Sequence, residues 1–173
     1  MLVRGATPDD AVGIASVQVL SWKAAYRGLM PDAVLDGLSL ERRVEVWRSV
    51  AAGRPGEAVL VLEGDDGIEG FAHVCAGRDA DVDAGTGEVS SIYLLPAAWG
   101  KGRGRALMDA AVLRLRAEGY HTATLWVLVT NGRARRFYEA AGWSCDGLEK
   151  TERIGGSASV TEVRYRRPLP ARG

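Results

Sequence analysis

Residues 92–107 read Ile-Tyr-Leu-Leu-Pro-Ala-Ala-Trp-Gly-Lys-Gly-Arg-Gly-Arg-Ala-Leu, and no other stretch constrains the chain as much. A strand pattern from Val89 to Leu95 is stopped by Pro96. Gly100, Gly102 and Gly104 then alternate with Lys101, Arg103 and Arg105, and a helical pattern begins. Leu107, Ala110, Ala111 and Leu115 mark the buried stripe of that helix, and Gly119 closes it. Such a turn lets successive backbone N–H groups point into one concavity, and the helix start adds about half a positive charge. That is a diphosphate site by construction, with Lys101, Arg103 and Arg105 adding charge from the sides. Spacing excludes two common phosphate loops. A P-loop ends in Gly-Lys-Ser/Thr, but Lys101 is followed by Gly102; the dinucleotide fingerprint is G-x-G-x-x-G, and this turn reads G-x-G-x-G. The plain alternative is a tight strand–helix connection.

The rest of the chain supplies a mixed set of elements. Leu2 to Ala6 suits a short strand, and Thr7-Pro8-Asp9-Asp10 suits a helix start, with a Thr cap, Pro in the first turn and acids at the positive end. Ala11, Ile14, Ala15 and Val19 follow at helical spacing, with Trp22 and Tyr26 near the helix end before Gly28 and Pro31 interrupt. Ser39 opens a second helix carrying Val44, Trp47 and Val50. Ala58–Leu62 and Ile68–Cys75 form a hairpin pattern around Asp65-Asp66-Gly67, and the polar stretch from Arg78 to Gly87 reads as a loop. After the glycine turn and its helix, Thr122–Val129 is a strand apolar enough for burial on both faces. Thr130-Asn131 opens a helix with the stripe Ala134, Phe137, Tyr138 and Ala141, ended by Gly142. Two strands, near Trp143–Arg153 and Val160–Arg167, are joined at Gly155-Gly156, and a loose tail is expected over residues 168–173. Residues 1–167 therefore read as a single α/β (α+β) domain with a mixed sheet flanked by helices.

The turn resembles the acetyl-CoA pyrophosphate loop of the GCN5-related N-acetyltransferases, whose pattern is Arg/Gln-x-x-Gly-x-Gly/Ala. Gly102 and Gly104 match its last two places, and Trp99 stands where Arg or Gln is usual. A second segment, Asn131-Gly-Arg-Ala-Arg-Arg-Phe-Tyr-Glu-Ala-Ala-Gly-Trp143, is similar to the family's Asn-x-x-Ala-x-x-Phe-Tyr-x-x-x-Gly-Phe helix. The resemblance implies the acyl-CoA N-acyltransferase fold, with a mostly antiparallel sheet, and acetyl-CoA as co-substrate. It implies a cofactor site at Ile92, Tyr93, Leu94, Lys101, Gly102, Arg103, Gly104, Arg105, Ala106, Asn131 and Arg136. Leu94 would offer its N–H to the thioester oxygen. Asn131 would contact the pantetheine arm or cap its helix.

Acetyl transfer needs a neutral amine and a proton for the departing thiolate. Glu88 lies on the strand leading to the turn, where the resemblance implies a general base; an ordinary strand-start charge is the alternative. Tyr138 matches the tyrosine that faces the CoA sulfur in the family, which implies a general acid; packing on the helix stripe is the alternative. Trp22 and Tyr26, with Arg27, Asp32 and Asp36 following, are expected to wall the acceptor site, since aromatics beside acids suit a cationic amine. The implied reaction is acetylation of a small-molecule primary amine by direct attack in a ternary complex. Acetylation of a protein N-terminus or lysine is the second reading, and a non-catalytic acyl-CoA-binding module the third. The resemblance also leaves a homodimer open.

Composition removes other classes. Net charge is zero, with 22 basic and 22 acidic residues, so no global basic excess points to nucleic acid or a membrane surface. No stretch approaches the ~18 apolar residues of a membrane span, and the N-terminus has no signal-peptide pattern, so a cytoplasmic protein is expected. Cys75 and Cys145 lack metal-ligand spacing and are expected to be buried free thiols; His73 and His121 have no ligand partners in sequence, so no metal site is expected.

Overall fold

A computed structural model describes residues 1–154 and 158–169. Seven strands form one sheet: β1 (Leu2–Gly5), β2 (Ala58–Gly64), β3 (Gly67–Ala76), β4 (Thr86–Leu94), β5 (Thr122–Leu128), β6 (Ser144–Ile154) and β7 (Ala158–Pro168), in the order β1-β2-β3-β4-β5-β7-β6. Every neighbouring pair is antiparallel except β4–β5. The helices are α1 (Ala11–Tyr26), α2 (Asp32–Asp36), α3 (Leu40–Ala51), α4 (Arg103–Ala117) and α5 (Gly132–Ala140).

The apolar run of β2 reads as continuous because both faces of the sheet are covered. Leu60 and Leu62 join one core with Leu107, Met108 and Leu115 of α4, while Val59 and Val61 join another with Ile14, Val17 and Trp47 of α1 and α3. That is the two-residue alternation of a strand serving two layers. Gln18, buried between α1 and α3, accepts a 2.8 Å hydrogen bond from the Trp47 indole and so satisfies both polar groups.

Two features of the central strands create the site. First, β4 and β5 pair only at Thr86↔Thr122, Gly87↔Ala123 and Glu88↔Thr124, then diverge. Second, the register between β3 and β4 shifts between His73 and Val74, leaving Ser90 as an extra residue in a β-bulge. The residues beyond Glu88 therefore turn one open edge towards a gap in the sheet.

Several expectations are corrected. The loop expected over Arg78–Gly87 ends at Gly85, because Thr86 and Gly87 already pair with β5. The short helix α2 falls where Gly28 and Pro31 suggested only an interruption. The α1 stripe runs through Val17, Gln18 and Ser21 rather than Val19. Cys75 is buried but Cys145 is exposed, since β6 is an edge strand. The expected tail does not start loose: Pro168 pairs with Thr122, and the buried Leu169 donates its N–H to His121 O at 2.8 Å. The expected Gly155-Gly156 turn lies outside the described residues.

Candidate active site

The gap between β4 and β5 opens into a cleft of about 930 Å³. Its floor at one end is the glycine turn. Gly100 and Gly102 have φ of 72° and 75°, a left-handed conformation that side chains rarely adopt, and a Cβ at either would meet nothing within 4 Å. The backbone N–H groups from Gly100 through Arg105 donate to no carbonyl or side chain among the described residues. Six consecutive free donors at the start of a 15-residue helix form a nest for an anion. Gly104 is small for a different reason: a Cβ there would stand 3.4 Å from Phe137 of α5. Trp99, which departs from the family pattern, is built into the turn. Its indole donates to Leu94 O at 2.9 Å, and the Arg133 guanidinium stacks 3.4 Å from its ring centroid.

Strand parity orients the next part. Leu95 N–H donates to Glu69 O on β3. Alternation along the antiparallel ladder then aims the N–H groups of Leu94 and Ile92 into the cleft. An N–H facing the cleft beside the nest is placed to bind a carbonyl oxygen that gains charge. Tyr138 reaches the same cleft from α5 and is 8% exposed, and burial holds its phenol above the usual tyrosine range. It stays protonated at neutral pH, as a proton donor must. Asn131 Oδ1 accepts from Ala134 N at 3.1 Å and so caps α5, and the residue also lines the cleft.

At the other end, Glu88 is 2% exposed. Arg78 donates to it three times: Nη2 to Oε1 at 2.6 Å, Nε to Oε2 at 3.1 Å and the backbone N–H to Oε2 at 3.3 Å. A carboxylate has about four acceptor positions, so one on Oε1 stays open. Tyr26 and Tyr93 line the cleft, and desolvation raises both phenols.

Of the candidate site residues, Glu88, Ile92, Tyr93, Leu94, Gly102, Gly104, Arg105, Asn131, Tyr138 and Tyr26 line one cleft. Others do not line it. Arg103 turns back to pair with Glu69. Lys101 and Arg136 are exposed beside the turn and on α5, and Ala106 lies inside α4. Trp22 sits behind the wall, its ring 5.4 Å from Tyr26 and 6.0 Å from Tyr93. Asp32 and Asp36 are both held by Arg27, at 2.9 and 3.0 Å, away from the cleft. Arg78, Trp126, Arg133, Lys150, Glu152 and Glu162 also line the cleft and were missed. They carry no local motif; only strand pairing brings them there. Among the described residues no cluster of metal-ligating side chains occurs.

The profile described as "Acetyltransferase (GNAT) family" matches residues 21–143. The chain belongs to this family. An uncharacterized N-acetyltransferase of Archaeoglobus fulgidus is 32% identical over 160 residues, covering 92% of this chain and 99% of that protein. The uncharacterized N-acetyltransferase YuaI of Bacillus subtilis is 31% identical over 130 residues, covering 75% and 72%. The fold matches a putative acetyltransferase from Salmonella typhimurium solved with acetyl-CoA, at a TM-score of 0.72 and 22% identity over 100% of this chain and 96% of that one. This GNAT chain is an acyltransferase of the acetyl-CoA-dependent kind, and its mostly antiparallel open sheet is the family's fold. No helix among its described residues is long and apolar enough to cross a membrane.

Proposed function

We propose that the protein transfers the acetyl group of acetyl-CoA to a primary amine of a small molecule by direct attack in the cleft. The observation that carries this is the run of free N–H groups from Gly100 to Arg105, directly beside an open strand edge and Tyr138. The nest suits a pyrophosphate, and the gap between β4 and β5 suits an extended arm leading from it to Leu94. When bound, acetyl-CoA supplies a thioester. Leu94 N–H holds its carbonyl oxygen as charge develops there. The amine nitrogen attacks the carbonyl carbon, the C–N bond forms and the C–S bond breaks. Tyr138 gives its proton, or a strong hydrogen bond, to the sulfur. Glu88 takes the amine proton through the free position on Oε1, directly or through one water. Arg78 holds that carboxylate in place.

A cleft of about 930 Å³ must hold both the pantetheine arm and the acceptor, which favours a small amine. A protein N-terminus or lysine side chain threading in is the second reading. A non-catalytic CoA-binding module would have no use for Glu88 and Tyr138 facing one cleft.

Calorimetric titration with acetyl-CoA, with NADH and ATP as controls, tests the assignment. Selective micromolar binding is the expected result, followed by thiol release in a screen of small amines and peptide N-termini. Absence of acetyl-CoA binding would sink the proposal.

A further inference from the structure

Lys150, on β6, reaches the outer wall of the cleft. Its Nζ lies 4.3 Å from the centroid of the Trp126 ring, 3.1 Å from Glu152 Oε1 and 3.4 Å from Glu162 Oε2. An aromatic face flanked by two carboxylates is a cage for an ammonium ion. Sheet register assembles it. Trp126 stands opposite Arg164, and Lys150 stands opposite Glu162. Glu162 and Arg164 lie two apart on β7, as do Lys150 and Glu152 on β6, so all five share one face.

The cage does not depend on Lys150 for its shape. The Trp126 indole donates to both Asp79 carboxylate oxygens, at 3.3 and 3.1 Å. Arg164 is 4% exposed and binds Asp79, Asp81 and Asp146 at 3.0, 2.7 and 2.7 Å, which fixes the 77–85 loop against β7. The ring is therefore held through its indole N–H. Burial raises the Glu162 carboxyl above its usual range, so a cation beside it is favoured whenever the carboxylate is ionised.

We propose that the Trp126–Glu152–Glu162 cage is the ammonium subsite of the acceptor, and that the Lys150 ammonium occupies it as a tethered competitor. The word acceptor rests on the transferase reading; the cation site itself does not. An incoming alkylammonium must displace Lys150. Lys150 then acts as a filter that disfavours weak monocations and admits amines able to compete for the cage. It is a specificity residue in this role, since it touches no reacting atom.

The test is a titration with n-butylammonium chloride of protein labelled with 15N at tryptophan, following the Trp126 indole N–H signal. If Lys150 fills the cage nine-tenths of the time, removing it tightens apparent affinity about tenfold. Lys150→Met is expected to show that gain, Lys150→Gln to reproduce it, and Lys150→Met with Trp126→Leu to lose it. Neutral n-butanol should shift nothing. Equal affinity in wild type and Lys150→Met, or equal response to butanol, overturns the proposal. The same samples are titrated with acetyl-CoA. Variants that keep acetyl-CoA binding but gain no ammonium affinity defeat the cage and leave the transferase reading standing. Wild type that fails to bind acetyl-CoA defeats the transferase reading, while the ammonium titration still decides the cage.

Discussion

The two ends of the cleft are built from different materials. The glycine-turn end is made of backbone: free N–H groups at the turn, and Leu94 and Ile92 on an open strand edge. The opposite end is made of side chains, each already paired: Glu88 with Arg78, and Lys150 with Glu152 and Glu162, backed outside the cleft by Arg164 with three aspartates. Backbone donors serve any chain that can bend as glycine allows, so one cofactor can be kept while side chains vary. The opposite end is a local solution held by charge pairing, and it can change without disturbing the turn.

Gly102→Asp attacks the backbone end alone and should give the largest effect. It forces a side chain into a left-handed position at φ 75° and puts negative charge in the nest. Strain of about 1–2 kcal/mol plus repulsion predicts acetyl-CoA binding weaker by roughly 10²-fold or more, read by calorimetry. Unchanged affinity would move the pyrophosphate elsewhere. Tyr138→Phe probes the joint between the two ends. It should lower kcat by about 10²-fold while acetyl-CoA affinity stays near wild type. An unaltered kcat would reduce Tyr138 to the packing aromatic that its helix stripe already explains.

Arg164→Met attacks the side-chain end. It leaves Asp79, about one fifth exposed, without its cation, leaves Asp146 with Arg166 alone at 3.4 Å, and frees the loop that carries Arg78. The pair is only partly desolvated on the acid side, so a loss of about 2 kcal/mol in denaturant stability is expected. Acetyl-CoA affinity should hold, because no atom of the nest depends on Arg164. A parallel loss of acetyl-CoA binding would show that the two ends are one cooperative unit, contrary to the comparison.

The same contrast explains what the sequence disclosed. The turn was legible because its chemistry is local: alternating glycines between a strand and a helix say where N–H groups will point. The α5 helix was legible for the same reason, with Asn131 as cap and Tyr138 on the inward stripe. Trp126, Lys150 and Glu162 were not, because Trp126 and Glu162 lie far apart in sequence and meet only through the β5–β7 and β6–β7 registers. Trp22, Asp32 and Asp36 misled for the converse reason. They cluster in sequence, yet Arg27 satisfies both acids in exposed salt bridges and Trp22 packs behind Tyr93. Lys101 and Arg103 carry charge near the turn, but Lys101 is exposed outside the cleft lining and Glu69 takes Arg103.

A final substitution sets the baseline for these effects, since it touches neither end. Asp10 accepts from Arg4 at 2.8 and 2.9 Å and from Thr7 N–H at 2.8 Å, and the Arg4 guanidinium holds its carboxyl down at about 2. A carboxyl lowered in the folded state stabilises above its unfolded pKa, near 4, and that stability drains away as pH falls towards 2. Arg4 is one third exposed, so screening trims the contribution to about 1 kcal/mol. Asp10→Asn should therefore cost about 1 kcal/mol in urea unfolding at pH 7. The gap from wild type should close between pH 4 and pH 2, with acetyl-CoA and ammonium titrations unaltered throughout. A cost that persists undiminished at pH 2 would assign it to the lost cap geometry around Thr7 instead of to charge, because the asparagine keeps one acceptor but not the ion pair.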